Sequence, residues 1–259
     1  MNPIYIEATT LSDAWFQALY RCLEHGNIFK IDRGSYAGDK RLEFDYITIR
    51  IKNPDKGDLL PKLPGHYNLP DPVDQDYLDG YISYLMTDEV SENESYTYGQ
   101  RLTNVSTNPM HIEFFFGMKE DILIQDKEIW EYDEGYLNQI EALIWTYKNK
   151  GYRNNQMVLQ VAQPTDMVLQ DPPCLRHIDT RIQDNTLHFF PYFRSWDLWG
   201  GFPANLAAIE YLKQYVAAEI GVKNGEIIAA SKGLHLYSYV WELAECLRGK
   251  TIEEFKKGL

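Results

Sequence analysis

Residues 194–205 read RSWDLWGGFPAN and connect an aromatic run to a long apolar segment. The run before them, LHFFPYF, is typical of a strand. Residues 203–221, which overlap their end, have helical spacing, with Pro203 near the start and Gly221 at the end. A plain strand-to-helix connection needs little polar chemistry. This one contains four polar side chains: Arg194, Ser195, Asp197 and Asn205. The stretch therefore raises the question of what those groups do.

Helices and strands are mixed along the rest of the chain without regular alternation. Further helices are predicted at 11–26 (capped by Ser12), 74–86, 136–151 and through Trp241 to Leu247. Strands are predicted at 41–51, 111–119, 156–163, 175–193 and 226–237. A phase slip within 41–51 indicates a bulge, and Asp184-Asn185 predicts a hairpin turn. The pattern favours an α+β fold in one domain, residues 1–259.

Composition limits the function classes. The chain has 259 residues and is 44% hydrophobic, enough for one large core. A formal net charge of −13 argues against a nucleic-acid surface. Three scattered cysteines form neither a disulfide framework nor a zinc site, so no metal is expected. The N-terminus lacks the pattern of a signal peptide, and no apolar run is long enough to span a membrane. We expect a cytoplasmic protein.

Cys174 is the candidate nucleophile. It follows two prolines in QDPPCLR, which fix the chain direction and present the thiol at the start of a strand. Nearby arginines are expected to lower the pKa of the thiol. The alternative is that Cys174 is a small buried apolar residue.

The other polar candidates suggest recognition of a nucleotide. Arg194 and Ser195 together suit a phosphate. Asn205 either caps the helix or presents a donor and an acceptor side by side, which matches uracil and mismatches cytosine. His235 and Tyr237 share one strand face and suit a sugar hydroxyl. For Asp197, the structural alternative is a helix cap or a turn residue.

These motifs resemble the thymidylate synthase family, and their wording is most similar to the short archaeal members. The matching segments are DPPC, FRSWDLWGGFPANLAA and KGLHLYSY, in the family's order, with IDRGS and YTYGQRL further upstream. The resemblance is strong over 172–240, fair around 11–51 and poor over 53–150, a divergent loop-rich segment. It implies a large mixed β-sheet with flanking helices and a homodimer formed through the sheet face.

The resemblance also implies a role for each candidate. Cys174 would add to C6 of dUMP, so that C5 attacks a one-carbon unit carried by 5,10-methylenetetrahydrofolate or a methanopterin-type analogue. The remaining roles are the following: phosphate binding by Arg33, Arg194 and Ser195; uracil recognition by Asn205; deoxyribose binding by His235 and Tyr237; removal of the C5 proton with Tyr98; and anchoring of the pterin by Asp197.

Some family features lack a clear counterpart. Asp79 lies near the place of the usual acid-base glutamate, and Arg153, Arg176 or Arg181 near that of the arginines donated by a partner subunit. The C-terminal tail that closes over the ligand is expected to be absent or replaced. A weaker lid would let water capture the one-carbon unit. Three alternatives therefore stay open: a 5-hydroxymethylase acting on dUMP, dCMP or CMP, a nucleotide-binding homologue without turnover, and a structural domain whose polar residues are caps and turns.

Overall fold

The computed structural model describes residues 1–32, 36–67, 69–92, 94–106, 130–131 and 136–249. Within these ranges lie six α-helices: α1 (Leu11–His25), α2 (Gln75–Leu85), α3 (Tyr98–Thr103), α4 (Gln139–Lys150), α5 (Gly201–Ile220) and α6 (Trp241–Leu247). The strands are β1 (Pro3–Ala8), β2 (Asn27–Lys30), β3 (Lys40–Glu43), β4 (Tyr46–Ile51), β5 (Val105–Ser106), β6 (Trp130–Glu131), β7 (Tyr136–Leu137), β8 (Val158–Gln160), β9 (Leu175–Gln183), β10 (Thr186–Phe193), β11 (Trp196–Asp197), β12 (Lys223–Ser231) and β13 (Leu234–Tyr237).

A six-stranded sheet with the order β1-β4-β12-β10-β9-β8 forms the centre of the fold. Two of its pairs are parallel, β1 with β4 and β10 with β12, and the other three are antiparallel. Along β4, β10 and β12, buried side chains alternate with half-buried ones. One face of this sheet therefore packs on the core while the other is open. The predicted α+β class with a large mixed sheet is confirmed.

The β9–β10 hairpin turns at Asp184 and Asn185, as predicted. Both residues have positive φ, 52° and 57°, which is the conformation of a tight two-residue hairpin turn. Asn and Asp tolerate this conformation better than other residues with a side chain. The turn sets the register that brings the end of β10 back beside the start of β9, with Phe193 opposite Leu175.

Two segments predicted as continuous strands each divide between two sheets. Residues 41–51 form β3 and β4, and residues 226–237 form β12 and β13. While β4 and β12 belong to the large sheet, β3 and β13 belong to a four-stranded sheet with the order β11-β13-β3-β2. The predicted bulge in 41–51 is therefore wrong. The phase slip marks the place where the chain crosses from one sheet to the next.

The first half of α5 lies within the core, because residues 201–210 are buried or half-buried all round the helix, whereas the second half exposes a stripe that includes Tyr211 and Tyr215. The helix packs against the large sheet and against α1, α2 and α4. Two of its buried side chains are charged, and they pair with each other: Lys213 Nζ lies 2.9 Å from a carboxylate oxygen of Glu210. The helix ends at Gly221 in the left-handed conformation, as the sequence predicted.

The first helix is capped differently from the prediction. Thr10, not Ser12, is the N-cap, and its hydroxyl accepts from the N–H of Asp13. Ser12 instead donates to the carbonyls of Asp58 and Leu60, in the loop after β4. The helix therefore begins at Leu11, two residues earlier than a cap at Ser12 would allow.

A short three-stranded sheet, β5-β7-β6, lies outside the main sheets. The strand predicted at residues 111–119 lies outside the described residues. In the part of the chain that the structure describes, no helix is both long enough and apolar enough to cross a membrane.

Candidate active site

Cys174 directly precedes β9 and is half-buried. Its carbonyl accepts the main-chain N–H of Arg194 over 2.8 Å, because the hairpin returns the end of β10 to the start of β9. The two prolines before Cys174 have no main-chain N–H to donate, and their carbonyls accept from the Arg194 side chain. The candidate nucleophile and the polar stretch at 194–205 therefore meet in space, although they are distant in sequence.

Burial dominates the ionisation of the thiol. Burial raises the pKa of Cys174, because the thiolate loses solvation. The guanidinium groups of Arg194 and Arg176 act in the opposite direction and lower it, while Asp171 raises it. The two arginines lower the thiol pKa, as expected. The expectation that the thiol pKa would be lowered overall is wrong, because the effect of burial is larger.

The guanidinium of Arg194 is hydrogen-bonded to the turn that precedes Cys174. Its Nε donates to the carbonyl of Pro173 over 3.1 Å, and Nη2 donates to the carbonyl of Pro172 and contacts Asp171 at 3.5 Å. A guanidinium has five N–H donors, so it has capacity for an anion beyond these bonds. Ser195 follows Arg194 and is half-buried. A Cβ at residue 233 would lie 3.1 Å from the carbonyl oxygen of Arg194, so Gly233 lets the two segments approach closely.

Tyr98 lies beside the nucleophile at the start of α3. Its hydroxyl accepts the main-chain N–H of Leu175 over 3.1 Å. Burial raises the pKa of Tyr98, and the neighbouring Cys174 raises it further. The hydroxyl therefore stays protonated near neutral pH and can both donate and accept. Gly99 makes this position possible, since a Cβ there would lie 2.2 Å from the carbonyl oxygens of Tyr84 and Thr87.

The four-stranded sheet brings three predicted residues onto one face. Asp197 on β11 is opposite His235 on β13, and His235 is opposite Glu43 on β3. Tyr237 lies two residues along from His235 and so shares its face, opposite Arg41. Sequence reasoning placed His235 and Tyr237 together but missed the charged pair Arg41–Glu43, whose side chains approach to 2.6 Å. An alternation of charged and apolar residues in KRLEF was the available signal.

His235 is almost fully buried, with 2% of its surface exposed. Its Nδ1 lies 2.8 Å from the carbonyl oxygen of Gly233, so Nδ1 carries the proton and donates. Burial lowers the pKa of His235 to about 4, so the ring is neutral at physiological pH. The other nitrogen, Nε2, is buried without a hydrogen-bond partner among the described residues. It is an acceptor that suits a hydroxyl group.

Asp197 caps the start of α5. One carboxylate oxygen accepts the N–H of Trp199 at 3.2 Å, and the other accepts those of Gly200 and Gly201 at 3.0 and 3.1 Å. This is the cap that the alternative interpretation of Asp197 predicted. Each carboxylate oxygen has about two lone-pair directions, so Oδ1 retains capacity for one further donor. That capacity suits an N–H donor of a ligand.

Asn205 lies in the first turns of α5, and two side chains hold its amide. Trp196 Nε1 donates to its Oδ1 over 2.9 Å, and its Nδ2 donates to the hydroxyl of Tyr81 over 2.8 Å. Sequence reasoning missed both partners. Tyr81 comes from α2, whose aromatic spacing Tyr77-Tyr81-Tyr84 was a signal that one face of that helix has a specific contact.

Other candidates lie further out or elsewhere. Arg33 lies outside the described residues. Asp79 is exposed on α2 and accepts from Gln75, while Tyr81 of the same helix is the residue that reaches Asn205. Arg176 donates to Asp166 and to the carbonyl of Pro173. Two further arginines are exposed: Arg153 and Arg181. Among the described residues, no group of three or more His, Cys, Asp or Glu side chains is arranged to hold a metal.

Comparison with known proteins gives one family. Residues 85–255 match the family model described as thymidylate synthase. A protein of Methanosarcina barkeri named "Putative thymidylate synthase" is 28% identical over 240 residues, which cover 93% of this chain and 92% of the relative. A protein of Methanothermobacter thermautotrophicus with the same name is 24% identical over 251 residues, covering 93% and 96%. The resemblance drawn from the motifs is confirmed.

Proposed function

Because the chain belongs to the thymidylate synthase family, we propose that it is a methyltransferase that converts dUMP to dTMP with a methylene-tetrahydropterin as carbon donor. The observation that carries the proposal is the position of the Cys174 thiol. It lies at the end of a turn held by the guanidinium of Arg194, within electrostatic range of the hydroxyls of Tyr98 and Tyr237. A protein that only binds nucleotides has no need of a nucleophile there.

The proposed reaction begins at the sulfur of Cys174. The thiolate adds to C6 of the uracil ring, and the electron pair of the C5=C6 bond moves toward C5 and O4. Arg194 and Arg176 favour the thiolate, since both lower its pKa against the effect of burial. After C5 has bonded to the carbon unit, its proton must leave, and the C6–S bond breaks last, which releases the product and returns Cys174 as the thiolate. Tyr98 is the nearby hydroxyl that is hydrogen-bonded, neutral and able to pass that proton to water.

Substrate binding is assigned to the faces around the thiol. Arg194, Ser195 and Arg33 would hold the phosphate, with the guanidinium groups supplying paired donors. His235 Nε2 would accept a hydroxyl proton of the deoxyribose, since it is a buried acceptor without a partner among the described residues. Tyr237 lies on the same strand face as His235. Asn205 would read O4 and N3–H of uracil.

The carbon donor would be 5,10-methylenetetrahydrofolate or a methanopterin-type analogue. When bound, such a pterin supplies a one-carbon unit and the hydride that completes a methyl group. Asp197 would hold an N–H group of the ring through the remaining capacity of Oδ1. Its three main-chain bonds keep the carboxylate in place for that contact.

The deciding experiment joins a covalent trap to product analysis. With 5-fluoro-dUMP and methylenetetrahydrofolate, the protein should form an adduct that mass spectrometry locates at Cys174. Cys174→Ala should abolish the adduct, whereas Cys246→Ala, which removes another half-buried thiol, should keep it. With dUMP, dihydrofolate should form together with dTMP. A 5-hydroxymethyl product would instead establish the hydroxymethylase alternative, and absence of any adduct would contradict the proposal.

We also propose a homodimer of single-domain subunits in the cytoplasm. The open face of the large sheet supports the dimer, because it carries half-buried aromatic residues such as Phe190 and Tyr192 as well as the charged pair Arg50–Glu226. Light scattering at micromolar concentration tests this, with a dimer mass expected. A monomer at that concentration would contradict it.

A further inference from the structure

The amide of Asn205 is held at both ends by side chains of different hydrogen-bonding character. Trp196 Nε1 donates to Oδ1 over 2.9 Å, and Nδ2 donates to the Tyr81 hydroxyl over 2.8 Å. Trp196 is fixed in place: it is 2% exposed, and its ring stacks on Phe193 with centroids 4.0 Å apart and packs against Phe202 at 4.5 Å. The indole therefore cannot turn away from the amide without disturbing the core.

The two partners do not constrain the amide equally. A hydroxyl donates or accepts, so Tyr81 tolerates either orientation of the amide. An indole N–H only donates. If the amide flipped, its NH₂ group would face the indole N–H, which would leave two donors pointing at each other without an acceptor between them. Trp196 thus determines which end of the amide carries the oxygen, and Tyr81 adapts to that choice.

The fixed orientation decides which base the amide edge can pair with. Oδ1 has a second lone pair and Nδ2 a second N–H beyond these two bonds, so the edge offers one acceptor and one donor in a set order. Uracil presents N3–H and O4, whereas cytosine presents N3 as an acceptor and an N4 amino group as a donor. A flipped amide would fit cytosine as well as the present one fits uracil. Discrimination therefore requires that the flip be blocked.

We propose that Trp196 is a specificity-determining residue, which makes the site select uracil over cytosine nucleotides by fixing the orientation of the Asn205 amide. Trp196 is a positioning residue here, since it acts through Asn205. The proposal rests on the proposed function, because it assumes that Asn205 reads a pyrimidine base. It goes beyond that function by placing the base selectivity in the indole N–H and not in the amide alone.

The test measures the dissociation constants of dUMP and dCMP by calorimetry for the wild-type protein and three variants. In Trp196→Phe a smaller aromatic ring remains and the N–H is lost, so the preference for dUMP should fall by about tenfold or more, mainly through tighter dCMP binding. In Tyr81→Phe both nucleotides should bind more weakly, but their ratio should stay within about threefold. Trp15→Phe is the matched control. It removes a buried indole N–H that donates to the carbonyl of Leu198, and the ratio should not change.

The outcomes separate this inference from the function on which it rests. A wild-type protein that binds neither nucleotide overturns both. A wild-type preference for dUMP that survives in Trp196→Phe overturns the inference and leaves the function intact. If Trp196→Phe does not fold, Tyr81→Phe still decides: loss of the preference in that variant would show that the hydroxyl sets the orientation, and the inference would be wrong.

Discussion

The main-chain N–H of Arg194 donates to the carbonyl oxygen of Cys174 over 2.8 Å. This bond joins the residue after β10 to the residue before β9, and the Arg194 side chain reinforces it by bonding the carbonyls of Pro172 and Pro173. One arginine thus fixes the turn that presents the thiol and supplies a positive charge beside it. Position and ionisation of the candidate nucleophile therefore depend on the same side chain.

The first prediction concerns the reactivity of Cys174 with pH. Burial raises the pKa of the thiol, so the thiolate fraction should be small near neutral pH and should increase as pH rises. Alkylation by iodoacetamide, followed at Cys174 by peptide mass spectrometry, should have its midpoint above the ordinary thiol value of about 8.5. Arg194→Gln should move the midpoint higher, because it removes a cation that lowers the pKa. The exposed Arg181→Gln should not move it, and a midpoint below the ordinary value would contradict the prediction.

The second prediction concerns His235 and stability at low pH. Its pKa in the folded protein is about 4, below the ordinary value of about 6.5. The neutral ring is therefore favoured by folding. Its contribution to stability is fully present above about pH 6.5 and is lost as pH falls toward 4. His235→Asn should lose less stability over this range than the wild type, by roughly 2 kcal/mol. Urea unfolding at several pH values measures this, and parallel curves for the two proteins would refute it.

The third prediction concerns Gly99 beside Tyr98. A Cβ at residue 99 would lie 2.2 Å from two carbonyl oxygens at the end of α2, so Gly99→Ala must push α3 away. We expect a loss of about 1–3 kcal/mol in the free energy of unfolding and weaker adduct formation, because Tyr98 moves from Leu175. Gly80→Ala is the control, since nothing lies within 4 Å of a Cβ there. Within helix α2 it should stabilise by up to about 1 kcal/mol. Equal effects of the two substitutions would contradict this account.

Local signals in the sequence predicted the elements that depend on local chemistry. Asp184 and Asn185 predicted the hairpin because few residues adopt two consecutive positive φ angles. The long apolar helix α5 was equally clear from its spacing and its terminal glycine. The division of 41–51 between two sheets was missed because a strand bulge and a change of sheet shift the apolar phase in the same way. The strand pairings tell them apart, since β3 pairs with β13 whereas β4 pairs with β1 and β12.

Site residues that belong to a sequence motif were predicted. Contacts between residues that are distant in sequence were missed. The residues of 194–205 and the His235–Tyr237 pair were found from type and spacing. Tyr81 was missed because its contact with Asn205 joins α2 to α5, and the aromatic spacing along α2 does not say which residue that face of the helix contacts. The raised thiol pKa was missed for the same reason: nearby arginines are visible in the sequence, whereas burial is a property of the fold.

The last prediction concerns Asp166, a buried carboxylate that bonds to Arg101 of α3 and to Arg176 of β9. Asp166 is fully buried and accepts from Arg101 at 2.9 Å and from Arg176 at 3.3 Å. Arg101 is itself 5% exposed, so Asp166→Ala would leave a buried guanidinium without its counter-charge. We expect a loss of roughly 3–5 kcal/mol in the free energy of unfolding, measured in urea.

Two comparisons test the reason for that loss. Asp58→Ala removes an exposed carboxylate 3.4 Å from Lys62 and should cost no more than about 1 kcal/mol. Combining Asp166→Leu with Arg101→Met removes both buried charges and should recover part of the stability lost in Asp166→Ala, because the penalty comes from the uncompensated charge and not from the missing bond. If the double variant is less stable than Asp166→Ala, the bonds themselves hold α3 to β9, and the uncompensated charge is not the main cost.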